Sequence, residues 1–404
     1  MPAQWSPLDP PLPHFPNSHW DSLWGSSACL AVSRIALKSL RPLLLITPDI
    51  RSALIWQKAL AFFAHEEKYP ISLFSDWETL PYDHFSPHED IISDRLLTLY
   101  RLPTLQQGIV ITGLPTLMHR LLPRSYLEAN TLILAEGDPL NLTIMSQRLA
   151  QAGYRSVQQV MTHGEWAVRG AILDIYPMGS RLPYRIELWD DTVHTLRHFD
   201  PDTQRSTQKV SSIRLLPARE YPLTEAAIIQ FRQAWREKFT GNPHTAPLYQ
   251  QISRGEAAQG VEYYLPLFYP SLHTFFHYLP HHTQVILPDC LEKLAQSFYA
   301  EVQHRFSERQ YDILRPLCPP NEVFLSVDQL FHELNALHQI HLHTISSKKT
   351  AIHFSTEPLP NLLVSHKATQ ALQHFVTDFL KTKDARILFC ANSLGRRESL
   401  LNLL

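Results

Sequence analysis

Residues 43–62 read LLLITPDIRSALIWQKALAF, and this stretch decides the fold class. The apolar run 43–47 is unbroken and stops at Pro48-Asp49, which suits a strand buried on both faces in a parallel sheet. Asp49 is placed to cap the helix that follows, in which Leu54, Ile55, Ala61 and Phe62 recur at helical spacing. Outward from here the alternation continues. Residues 71–74 and 109–112 read as two more buried strands, and Ile91, Ile92, Arg95, Leu96 and Leu99 between them fit an amphipathic helix. Strand–helix alternation of this kind predicts a doubly wound parallel sheet.

The pattern changes near Pro123. Short alternating runs dominate from 131 to 215, among them AILDI at 171–175 and YRIEL at 184–188, with Asp190-Asp191 as a turn. These predict a smaller antiparallel domain inserted into the first. Helical spacing returns with Ile228, Phe231, Trp235 and Phe239. Val285, Ile286 and Leu287 then repeat the buried-strand signature before Pro288-Asp289. Farther on, a helix carrying Leu372, Phe375 and Phe379 and a strand at 387–390 are expected, followed by an apparent helix that is still running at Leu404. A new α/β unit begun in this way predicts a longer natural protein. The fold expected is therefore α/β: a parallel-sheet domain built from two sequence segments, 1–123 and 213–350. Between them lies an α+β domain, 124–212, and 351–404 forms a linker and the start of a further α/β domain.

Composition narrows the functional classes. The chain has 404 residues, 44% hydrophobic and 18% charged, a globular balance that is too long for one ordinary core. A formal net charge of −2 forces no nucleic-acid partner. The four cysteines are far apart, which excludes a Cys-x-x-Cys zinc site and predicts a reducing, cytoplasmic setting. The start has no signal-peptide pattern, and no apolar run is long enough to span a bilayer.

Several sites can be weighed residue by residue. Gly25-Ser26-Ser27 lies where a phosphate-binding loop would lie, but only one glycine is present and no lysine follows, so it reads as a non-catalytic loop. Asp289-Cys290 stands where a helicase-type ATPase needs Asp-Glu, and Cys290 cannot act for the glutamate. The aromatic run at 76–88 contains no lysine or arginine, which favours packing over nucleic-acid contact. His338, His341 and His343 have no sequence-near carboxylate and read as solvated surface. No catalytic residue and no metal site is expected. Arg169, Arg185 and Trp189 fall on strands of the inserted domain. They read either as a protein–protein hot spot or as surface arginines beside a half-buried ring, and composition alone leans to the second.

Long motifs decide between these. The runs DWETLPYDHFSPHEDIISDRL (76–96), HGEWAVRGAILDIYPMGSRLPYRIELWDD (163–191) and GVEYYLPLF (260–268) closely resemble the N-terminal part of the bacterial transcription-repair coupling factors (Mfd). The second run is also similar to the excision-repair helicase UvrB. The resemblance extends to about residue 345. It implies a helicase-like domain with a non-hydrolysing nucleotide site and an inserted domain that binds UvrA through Arg169, Arg185 and Trp189. It further implies that this chain holds no cofactor, ATP and magnesium belonging to a C-terminal motor beyond Leu404. RNA polymerase and duplex DNA would be partners of those farther parts, and the C-terminal domain a partner of the inserted one. No membrane contact is expected. The competing reading is a nucleic-acid-binding, helicase-type ATPase domain.

Overall fold

The computed structural model describes residues 4–12, 17–64, 69–343, 351–358, 391 and 393–403. The expected helix around Leu372, Phe375 and Phe379 and the strand at 387–390 lie outside the described residues.

The first segment supplies β1 (Gln4–Trp5), β2 (Asn17–Asp21), β3 (Pro42–Thr47), β4 (Ile71–Phe74) and β5 (Gly108–Gly113). The inserted region supplies β6 (Leu132–Ala135), β7 (Arg155–Ser156), β8 (Glu165–Arg169), β9 (Ile172–Tyr176), β10 (Tyr184–Trp189), β11 (Thr192–Phe199), β12 (Ser206–Lys209) and β13 (Ser212–Leu215). The chain then returns with β14 (Gln284–Leu287), β15 (His338–Leu342) and β16 (Ile352–Phe354). Strands from both outer segments interleave in one parallel sheet, in the order β1-β16-β2-β15-β14-β3-β5-β4. The two-segment construction predicted from sequence is thus present, with β14 directly beside β3, but the second segment runs past its expected end at 350, because β16 pairs with β1 and β2 in the same sheet. A second sheet, β12-β11-β10-β9-β8-β7, is antiparallel except for its β7–β8 edge, and β6 pairs with β13 alongside it.

β3 is buried along its whole length, and α1 (Ser27–Lys38) and α2 (Ile50–Phe63) follow β2 and β3. Asp49 caps α2 by accepting a 2.7 Å bond from the Ser52 backbone N–H. These hydrogen bonds hold its carboxyl below the usual range. The helix meets the core through Ala53 and Leu60, small or slender residues that let it lie close to the sheet. Ile50 and Trp56 pack at its margin, while two other large apolar side chains turn outward: Ile55 is 63% exposed and Phe62 81% exposed. The spacing that predicted the helix therefore marks its solvent face, with exposed Arg51 and Lys58 on the same stripe.

The aromatic run at 76–88 is a packing element, as its lack of basic residues indicated. Trp77 and Tyr82 are buried, and α3 (Glu89–Arg101) follows. Arg95 of α3 is fully buried, pairs with Glu220 at 2.8 Å and lies over the rings of Phe74 and Trp77. Trp77 Nε1 donates to the second oxygen of Glu220. Ser86 Oγ donates to Glu262 and accepts from the Gly260 N–H. Two of the distinctive sequence runs, 76–96 and 260–268, thus recognise each other across the inserted region. Burial raises the Glu262 carboxyl to about 7.

The inner face of the six-stranded sheet, with Leu173, Ile175, Ile186 and Leu196, joins this main core. Its outer face carries a small cluster of Val160, Ala167 and Phe199.

Candidate functional site

Two places fit the residues singled out by sequence. The first is the end of the parallel sheet. Gly25 takes φ +59°, and α1 starts at Ser27 without a side-chain cap from Ser26. A phosphate-binding loop presents its amides and hydroxyl outward; here the Trp24 N–H and the Ser27 hydroxyl are taken up within the chain, while Gly25 and Ser26 stay exposed. The Trp24 N–H donates to Thr356 Oγ at 3.2 Å, Ser27 Oγ donates to the Trp24 carbonyl at 2.7 Å, and the Thr356 hydroxyl donates to the Ser22 carbonyl. Thr356 follows β16, so the returning segment closes the loop from more than 300 residues away in sequence.

Beside it, Asp289 and Cys290 follow β14. Cys290 takes φ +61° and caps the next helix without a side-chain bond. Of the three histidines expected at a solvated surface, His338 is exposed, but the expectation is corrected for His341 and His343. Parallel pairing of β14, β15 and β2 sets Asp289, His343, His341 and His19 on one face of the sheet end. His343 Nδ1 meets the Asp289 carboxylate, its Nε2 lies 2.9 Å from His19 Nδ1, and His341 stacks on His19 with ring centroids 4.6 Å apart. The carboxylate that sequence proximity did not show is supplied by a neighbouring strand. Among the described residues no group of three or more His, Cys, Asp or Glu side chains is placed to hold a metal ion. No helix among them is long and apolar enough to cross a membrane.

The second place is the outer face of the six-stranded sheet. β8 turns into β9 through Gly170 and Ala171, with Arg169 paired to Ile172 and Gly170 at φ +62°. β10 turns into β11 through Asp190 and Asp191, with Trp189 paired to Thr192 and Asp190 at φ +51°. Glycine takes this left-handed conformation without strain, and aspartate is among the few residues that tolerate it. Because β8 and β10 run the same way, both hairpin tips lie at one end of the sheet. Strand alternation puts Arg169, Asp174, Arg185 and Trp189 on the same face.

The three predicted residues share that face but not one status. Trp189 is 73% exposed. The Arg169 side chain is 54% exposed and gives a single bond, Nη2 to Asp174 Oδ2 at 2.9 Å. Arg185 is different, with a side chain only 15% exposed. Its Nε and Nη2 grip both oxygens of Asp174 at 2.7 and 2.9 Å, its Nη1 donates to the Gln204 carbonyl and Ser206 Oγ, and its guanidinium lies over Phe199. Arg185 thus stands on the same face as Arg169 and Trp189 but spends its guanidinium on bonds within its own sheet. The hydrogen bonds to Asp174 hold the Arg185 guanidinium's pKa above its ordinary value.

Asp174 itself was not singled out from the sequence. Its one local signal is a carboxylate in the middle of an apolar strand, ILDIY; its pairing with Arg185 comes only from register.

Comparison with known proteins matches these regions. The model of the UvrB interaction domain fits residues 132–221, the stretch that holds the six-stranded sheet. The model described as MFD, D3 domain fits residues 379–404. The chain is 41% identical over 385 residues to the transcription-repair-coupling factor of Escherichia coli (strain K12), covering 95% of this chain and 33% of that protein. It is 38% identical to the Haemophilus influenzae protein of the same name, covering 98% of this chain and 35% of that one. With the Myxococcus xanthus protein of that name it shares 28% identity over 81% of this chain and 29% of the relative. The chain thus spans about a third of the length of the curated relatives it matches.

Proposed function

The chain belongs to the transcription-repair-coupling factor family, as its N-terminal region, and on that premise we propose that it is a recruitment module for transcription-coupled nucleotide excision repair. Its inserted domain docks UvrA, the damage-recognition ATPase, by offering the sheet that UvrB offers. The whole protein would act on RNA polymerase stalled at damage, using a motor and DNA contacts outside this chain.

The observation that carries the reading is the open hairpin end of the six-stranded sheet, inside the stretch that fits the UvrB interaction domain. Trp189 offers a large rigid ring, and Arg169 has guanidinium donors left after its one internal bond. A ring and a cationic fork on one exposed face gain most when a partner covers them, because the fork pairs with carboxylates in two bonds and the ring loses its water.

The reading includes no ATP turnover by this chain. The loop at Gly25, Ser26 and Ser27 has no lysine to stabilise charge on a terminal phosphate; the Ser27 N–H and hydroxyl are bound to the Trp24 carbonyl, and the Trp24 N–H to Thr356. Asp289 faces His343 and is followed by Cys290. The competing ATPase reading gains no support from this end of the sheet.

Calorimetric titration of the chain with purified UvrA, beside Arg169→Ala and Trp189→Ala, tests the proposal. Saturable binding that both substitutions weaken, at unchanged melting temperature, is the expected result. A folded wild-type chain that takes up no UvrA would end the recruitment reading.

A further inference from the structure

We propose that Asp174 is the positioning residue of the docking surface: one buried carboxylate that anchors Arg185 and, through the same oxygen, aims Arg169 at the partner. This rests on the UvrA reading above and deepens it.

The geometry separates two layers. Asp174 is 1% exposed, in the middle of β9, where an apolar side chain would otherwise face the small outer cluster. A carboxylate taken from water is held only if most of its lone pairs are used. Three guanidinium bonds do this: Arg185 Nε on Oδ1, and Arg185 Nη2 and Arg169 Nη2 together on Oδ2. Arg185 is further tied to Gln204 and Ser206 on its other edge, so its fork is fixed to the sheet. Arg169 spends one N–H on the shared oxygen and keeps its remaining donors for outside. An exposed arginine ordinarily gives up much rotamer freedom when a partner fixes it. Here that ordering is done before the partner arrives.

The charge balance gives the idea a sign. Two guanidiniums and one carboxylate leave the trio at net +1, facing a partner taken to be acidic. If only long-range attraction mattered, removing the carboxylate would raise the positive charge and tighten binding. Positioning predicts the reverse.

The test is a double-mutant cycle read by calorimetry against UvrA. Asp174→Asn is expected to weaken binding by roughly tenfold. In an Arg169→Ala background the same substitution is expected to change affinity by less than about threefold, because the group it aims is gone. Equal losses in both backgrounds would mean a general structural role and overturn the proposal, as would tighter or unchanged binding by Asp174→Asn. Thermal unfolding checks each variant. If Asp174→Asn does not fold, Asp174→Leu combined with Arg185→Met removes both buried charges together, which spares the sheet an unpaired one. That pair should bind UvrA more weakly than wild type and make Arg169→Ala nearly silent; wild-type affinity there would overturn the proposal. If the wild-type chain itself fails to bind, the recruitment reading falls, and this inference with it. If the wild type binds and the cycle shows no coupling, only the role of Asp174 falls.

Discussion

The end of the parallel sheet and the hairpin end of the six-stranded sheet hold similar raw material. Each brings a carboxylate, cationic or ionisable nitrogens and aromatic rings together at the edge of a rigid sheet. At the parallel end the groups are turned on one another: Thr356 closes the loop at Trp24 and Ser27, and His343 bridges Asp289 and His19. At the hairpin end only the inner layer, Arg185 on Asp174, is closed, and Arg169 and Trp189 stand beyond it. What a site can do depends on what is left over after the chain has met its own hydrogen-bonding needs, and the two ends differ in that remainder more than in their residues.

The sharpest attempt to break this contrast is Arg185→Glu. It sets a second carboxylate against buried Asp174 and is expected to cost about 3–5 kcal/mol of stability, read by urea unfolding. A variant of normal stability that merely loses UvrA would move Arg185 into the outer layer and dissolve the distinction. Next comes the junction between the parallel-sheet domain and the inserted one, where Glu262 lines a cleft of about 240 Å³. Its folded carboxyl is raised from the ordinary 4.5 to about 7, so the folded state holds the proton and the charged form is penalised. Stability from this group is therefore intact below pH 4.5, falls as pH rises toward 7 and levels off beyond it, a loss of about 3 kcal/mol at most. Glu262→Gln should flatten that slope in unfolding measured at pH 5 and pH 8; an unchanged slope would mean the junction carries no such penalty. Trp189→Ala should cost about 2 kcal/mol of UvrA binding, near thirtyfold, with no shift in melting temperature. A loss of stability instead would make the ring structural. The smallest effect is expected from Thr356→Ala, about 1 kcal/mol of stability. Calorimetry with MgATP should show no gain in nucleotide binding, since the loop still has no lysine. Tight binding there would reopen the parallel end as a nucleotide site.

The legible part of the molecule was whatever depends on neighbours in sequence. The all-apolar β3, the Asp49 cap and the Asp190-Asp191 turn are local patterns, and each forms as read. The hairpin tips carrying Arg169 and Trp189 follow from glycine and aspartate in tight turns. Hidden from that reading were groups whose meaning depends on register between strands. Asp174 meets Arg185 only because β9 and β10 pair at that position, and Asp289 meets His343 only because β14 lies beside β15. Thr356 reaches Trp24 across most of the chain. The face of α2 was also hidden, because spacing marks a stripe without saying which stripe the sheet covers. Here the sheet takes Ala53 and Leu60, with Ile50 and Trp56 at the margin.

That outward stripe has a practical consequence. Ile55 and Phe62 at a helix surface, flanked by Arg51 and Lys58, make a sticky patch of the kind that drives association when salt withdraws water from apolar surface. The protein should be retained on a phenyl resin at high ammonium sulfate, and concentrated stocks should scatter more light as that salt is raised. Replacing Ile55 and Phe62 with glutamate and serine should yield a chain that elutes early and stays clear, with its fold untouched.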